Sequence, residues 1–124
     1  LLVSSPDFLV AAGGGCKTFT LAVDGWSMAN VELWYYEWNA SWCYNGSTIT
    51  SLSRWRTVWV NVGWAYKKDI ANNKSGGVGK KSAWNYVQGD FCFLETYTCA
   101  FHSYPWVNMT VNGNGSYSGS AGGH

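Results

Sequence analysis

The stretch WCYNGSTIT, residues 42–50, decides the fold. Asn45-Gly46 sits between two runs of β-prone residues, and this dipeptide is the strongest short hairpin signal. A type I′ turn needs positive φ at both central positions, which Asn and Gly adopt at little cost. Upstream, residues 31–44 (VELWYYEWNASWCY) read as one long aromatic strand. Trp34, Tyr36 and Trp38 fall at alternate positions and share a face, and Tyr35 takes the other. Downstream, SLSRWRTVWVNVGW returns as its partner, with Arg54, Arg56, Val58, Val60 and Val62 on one face and Trp55, Thr57 and Trp59 on the other.

Moving outward, the same period of two recurs. KTFTLAV alternates polar and apolar, placing Phe19, Leu21 and Val23 together, and Asp24-Gly25 reads as its closing turn. WAYKKDI is a short strand, followed by a glycine- and lysine-rich loop over residues 72–81. SAWNYVQ is a strand with Gly89 as its expected bulge. DFCFLETYTCAF reads as a hairpin stapled by its own cysteines. WVNMTV turns Val107, Met109 and Val111 inward, and GSAGGH reads as a flexible tail. Strands at intervals of about 8–12 residues with turn signals between them predict an all-β protein, an antiparallel β-sandwich or small barrel. The expected organisation is an N-terminal extension over residues 1–15, a β domain over 16–118 and a tail over 119–124.

Composition agrees. The chain has 124 residues, 47% hydrophobic and only 12% charged, with nine Trp and eight Tyr. That suits a pleated sheet with neutral polar faces. A net charge of +1 does not point to nucleic acid. No apolar run approaches the ~20 residues of a membrane-spanning helix. Four cysteines, Cys16, Cys43, Cys92 and Cys99, read as two disulfides and an oxidising, extracellular setting. Sequence alone leaves three pairings open; the expected one is Cys92–Cys99 across a hairpin and Cys16–Cys43 tying the first strand down. Zinc would want closer cysteine pairs or histidine partners, so no metal and no cofactor is expected.

Catalytic constellations are thin. His102 is the one credible base, and no G-x-S-x-G surrounds any serine. Glu32 and Glu37, five residues apart, should point to opposite strand faces and so form no dyad. The run over residues 76–81 is not a phosphate loop. Five of the eight basic residues, Lys67, Lys68, Lys74, Lys80 and Lys81, fall in one region, and they supply a patch rather than a groove. No catalytic residue is assigned. Trp34, Tyr36 and Trp38 are either core or a stacking platform for sugar rings.

The opening, LLVSSPDFLVAAGGG, is an apolar ribbon ahead of a glycine triplet. It lacks the basic region of a signal peptide, so a secretion signal is expected upstream of Leu1. Pro6 splits it and bars a central ladder position. It reads as a disordered leader, as an edge strand of its own domain, or as a strand that pairs with another molecule, and the third is the expectation. Leu2, Val3, Phe8, Leu9 and Val10 would be the partner-binding residues. Burying six large apolar side chains yields roughly 9–18 kcal/mol at about 1.5–3 each, and ordering about ten residues costs roughly 10–20. Ladder bonds or a preformed cleft must supply the surplus, as in strand addition.

WCYNGSTIT, GGVGKKSAWNYVQGDFCF and YPWVNMTV together resemble small secreted β-domain proteins of actinobacteria. Within that group, a β domain behind an N-terminal extension is similar to the adaptor subunits of umbrella toxin particles. The resemblance covers most of residues 31–111 by texture and not by a diagnostic motif. It implies a non-catalytic connector between a lectin-bearing spoke protein and a repeat-containing ring, its extension entering a cleft of the spoke protein. The expected function is therefore a secreted adaptor with protein partners in a hetero-oligomeric or polymeric extracellular assembly. The alternatives are a glycan-binding module and a protease inhibitor whose extension plugs a cleft.

Overall fold

The computed structural model describes residues 2–4, 7–11 and 14–123, with the side chains of residues 14–123. Ten strands follow in order: β1 Leu2–Ser4, β2 Asp7–Ala11, β3 Gly14–Trp26, β4 Glu32–Tyr44, β5 Ile49–Val60, β6 Trp64–Gly76, β7 Ser82–Glu95, β8 Thr98–Ser103, β9 Trp106–Asn112 and β10 Tyr117–Gly122. No helix occurs among the described residues. The strands form two antiparallel sheets. The first runs β1-β3-β4-β5 with β2 also on β3; the second runs β10-β9-β7-β6 with β8 also on β7. This is a β-sandwich, the first of the two architectures the sequence allowed.

Alternation builds the core. Phe19, Leu21 and Val23 of β3, Trp34, Tyr36, Trp38, Ala40 and Trp42 of β4, and Val107, Met109 and Val111 of β9 are all buried. Aromatic pairs join the sheets: Trp34 stacks on Phe91 with centroids 5.0 Å apart, and Trp42 meets Tyr117 edge-on at 6.0 Å. Such pairs add to the stabilisation from area alone. Cys16 lies directly opposite Cys43 across β3 and β4, and the two are bonded. Cys92–Cys99 closes the β7–β8 hairpin. Both pairings are the expected ones.

Several local readings differ. Asn45-Gly46 does not make a two-residue turn. The loop spans residues 45–48, and the Asn45 side-chain oxygen accepts from the Ser47 and Thr48 backbone N–H groups at 3.0 and 2.8 Å. The Asx hydrogen bonds outcompete the tighter turn. β3 continues past Asp24-Gly25 to Trp26. β6 extends through Gly76, so the first half of the lysine-rich loop is strand. Gly89 is no bulge; the irregularities fall on its partner, between Tyr66 and Lys68 and between Asp69 and Ala71. A Cβ on Gly89 would lie 2.8 Å from the Tyr36 ring, so glycine is there for close packing. The C-terminal tail is strand as far as Gly122, because β10 pairs along β9 and Gly119 admits the Leu21 side chain.

Candidate functional site: one edge and the outer face of the first sheet

The apolar ribbon lies on one edge of the first sheet. Leu2, Val3 and Ser4 pair with Ala22, Leu21 and Thr20 of β3. Asp7, Phe8 and Leu9 pair with Lys17, Cys16 and Gly15, and the register shifts between Leu9 and Ala11, at Val10. The two strands fall on either side of Pro6, as the proline dictates. In the described backbone the ribbon is thus an edge strand of its own domain, one of the three readings above. Gly14 and Gly15 belong to β3 and are buried, so they are ladder residues. The reason is physical. Without the ribbon, β3 would present a long row of unpaired N–H and C=O groups.

Of the two readings of Trp34, Tyr36 and Trp38, core or sugar platform, the structure shows the first. Trp34, Tyr36 and Trp38 are only 1%, 0% and 4% exposed. They point between the sheets, so they are core and offer no platform. Besides Trp26 at the end of β3, 54% exposed, the exposed indoles are Trp55 and Trp59, 42% and 46% exposed. They stand on β5 opposite Asn39 and Tyr35 of β4, on the outer face of the first sheet. The sequence did separate Trp55, Thr57 and Trp59 from the other face of their strand. It lacked the knowledge of which face a second sheet covers.

Around these indoles runs an ordered polar array. The Tyr35 hydroxyl donates to Glu37 Oε1 at 2.6 Å, Asn39 Nδ2 donates to Glu37 Oε2 at 3.0 Å, and Thr20 Oγ1 donates to Asn39 Oδ1 at 2.6 Å. Partial burial, then the bond to Glu37, raises the Tyr35 phenol above its usual range. Further along the face, Glu32 hydrogen-bonds Asp24, which raises the Glu32 pKa, with burial adding to the rise. Asp24 is lowered; partial burial opposes this, and hydrogen bonds from Glu32 and Trp26 outweigh it. Glu32 was expected on the face opposite Glu37. The ladder pairs Gly25 with Trp34 and Trp26 with Glu32, leaving Leu33 as an extra residue. A bulge reverses the alternation beyond it, and Glu32 reaches Asp24 on the outer face.

The pair gives a pH prediction. A raised Glu32 favours the folded state below its unfolded pKa, and that contribution is lost as pH rises through the folded pKa. A lowered Asp24 contributes above its unfolded pKa, and that contribution is lost as pH falls through the folded pKa. With one proton shared, the corner carrying Trp26 is tightest in mild acid. The fluorescence of Trp26 should shift across that window, and Glu32→Gln should flatten the shift. An unchanged profile in that variant would remove the shared proton from the account.

The remaining chemistry is sparse. His102 Nδ1 lies 2.6 Å from Asp90 Oδ1, and its ring stacks on Tyr104. Among the described residues no group of three or more His, Cys, Asp or Glu could hold a metal ion, and no helix is long and apolar enough to cross a membrane. A polar cleft of about 380 Å³ lies between turns at one end of the sandwich, lined by Gly46, Ser47, Lys81, Asn112, Asn114 and Ser116. Fold and surface together define a disulfide-stapled β-sandwich with a paired N-terminal ribbon, an arrangement compatible with an extracellular protein. No protein-family model, curated protein or solved structure matches the chain.

Proposed function

We propose that the chain is an exported, non-catalytic assembly module. It acts as an adaptor that docks its N-terminal extension into a partner protein of a larger extracellular complex. A toxin particle is the assembly its resemblance suggests. The observation that carries this reading is the ribbon's position at the sheet edge, in two short strands split at Pro6. One edge of its backbone is paired to β3, and its sequence is apolar save Ser4, Ser5 and Asp7. The packing of the two sheets, Trp34 on Phe91 and Trp42 on Tyr117, is made by β3–β10. Exchanging one ladder for another leaves the backbone hydrogen bonds nearly balanced, so the apolar anchors set the preference.

The test is co-purification of a tagged chain with its native extracellular complex. The full chain should recover a stoichiometric assembly. A chain lacking residues 1–13 should recover none, while still unfolding cooperatively. Because deletion uncovers the β3 edge, Phe8→Asp with Leu9→Asp in the full-length chain serves as a second variant. Recovery undiminished in both would refute the reading.

A second reading, carbohydrate binding, is favoured by the exposed Trp55 and Trp59 beside the Glu37 array. Stacking on indole with hydrogen bonds to fixed carboxylate and amide groups is suited to a saccharide. A saturable change in tryptophan fluorescence with one member of a glycan panel, abolished in Trp55→Ala, is the expected result for that reading.

A further inference from the structure

The β7–β8 hairpin turns through two residues, Thr96 and Tyr97, with φ of 52° and 69°. A two-residue turn with both φ values positive is ordinarily built from Asn-Gly. A β-branched residue and an aromatic one in that conformation form a backbone outlier. Packing does not account for it, since Tyr97 is 98% exposed and Thr96 is exposed too. Below the tip the hairpin is rigid. Cys92–Cys99 staples it, Phe93 stacks on Phe101 at 5.2 Å, and both rings pack on Trp64 at 5.6 Å. Thr98 Oγ1 donates to the Glu95 carbonyl at 2.8 Å. A fixed finger therefore holds a tyrosine in solvent on a backbone that most residues avoid. Strain of this kind, maintained by its surroundings, concentrates where a protein recognises something.

We infer that this finger is a second protein-docking site. Tyr97 enters an aromatic-accepting pocket of a partner, and a lysine or arginine on the pocket rim faces Glu95. The charge follows from the hairpin itself: residues 90–104 include Asp90 and Glu95 but no lysine or arginine. Asp90 is held by His102, and Glu95 stands beside the tip. Leu94 and Phe101 are exposed below it and supply an apolar collar. Tyrosine anchors dominate many interfaces because they bury much area with few rotatable bonds. The staple removes ordering cost that a loose loop would incur on binding. The inference rests on the adaptor reading, since a connector needs two contacts. The ribbon is on the first sheet and the finger on the second.

The native complex recovered as above provides the test. Hydroxyl-radical footprinting should show Tyr97 oxidised in the isolated chain and protected in the assembly. Tyr97→Ala should weaken the assembly by about thirtyfold, the effect of a strong anchor. Replacing Thr96-Tyr97 with Asn-Gly should raise Tm by a few degrees through relief of the turn and weaken assembly equally. A turn that is only structural would gain stability and lose no binding. Tyr97 equally oxidised in an intact assembly, or the Asn-Gly variant assembling like wild type, overturns the inference and leaves the ribbon's role standing. Loss of assembly in Tyr97→Ala with retention in the ribbon variants supports the finger and removes the ribbon. Absence of any complex with the unaltered chain sinks both. Protection of Tyr97 by a glycan alone, with no protein bound, also overturns it.

Discussion

Trp42→Ala is expected to lower the unfolding free energy by about 3–5 kcal/mol, the range for deleting a large buried aromatic. Trp42 is fully buried on β4. Its ring reaches across the sandwich to Tyr117 and along its own strand to Tyr44. Its indole N–H donates to the Asn112 carbonyl at 2.9 Å. Alanine opens a cavity between the sheets and leaves that carbonyl without its indole donor. Trp42→Phe separates the two effects, because it retains most of the volume and loses the hydrogen bond. Its cost should be nearer 1–3 kcal/mol, about that of an unsatisfied buried group. Urea unfolding of the two variants measures both. A loss below about 1 kcal/mol in the alanine variant would contradict the burial of this ring.

Asp69→Ala should be nearly as damaging, at about 3 kcal/mol or more. Asp69 Oδ1 accepts from the Tyr36 hydroxyl at 2.8 Å and the Tyr66 hydroxyl at 2.6 Å, and Oδ2 pairs with Arg56 Nη1. Tyr36 is wholly buried, so its hydroxyl cannot turn to water when the acceptor is removed. The Arg56 pair is partly exposed and contributes less than a buried one. Asp69→Asn keeps the shape and one acceptor, and should fall between alanine and wild type. The same network fixes the alkaline limit. Burial first, then the hydrogen bond to Asp69, raises both phenols well above their usual pKa. Because the folded values are raised, the stabilisation is complete below the unfolded pKa of about 10 and declines as pH climbs above it. Thermal unfolding followed from pH 8 to 11 should show that decline. A flat Tm across this range would mean that the phenols are not held in this way.

The ribbon and the finger show different limits of reading a chain. The split at Pro6 was visible because proline cannot occupy a ladder position needing its N–H. The strained turn at Thr96 and Tyr97 carried no signal, since neither residue favours positive φ and the cysteines around it mark only a closed hairpin. Asn45-Gly46 carried the opposite signal and adopts a longer loop, held by the Asn45 side chain. Turn type depends on which hydrogen bonds the flanking strands leave available, and those are settled by pairing partners outside the turn.

By itself the sequence determined that this chain is all-β, that its strands alternate, and which residues of a regular strand share a face; among three open cysteine pairings it favoured the one the structure shows. These features are local: a period of two follows from pleating, and a hairpin brings near neighbours together. The tertiary structure decided which face of β4 is covered, making Trp34, Tyr36 and Trp38 core and leaving Trp55 and Trp59 in solvent. It also decided that Glu32 joins Asp24 across a bulge, and that a glycine-rich C-terminal segment is a strand because Gly119 lets it close on Leu21. The physical reason is that a pleated strand has two equivalent sides. Only contact with a second sheet, residues distant in the chain, makes one of them the inside.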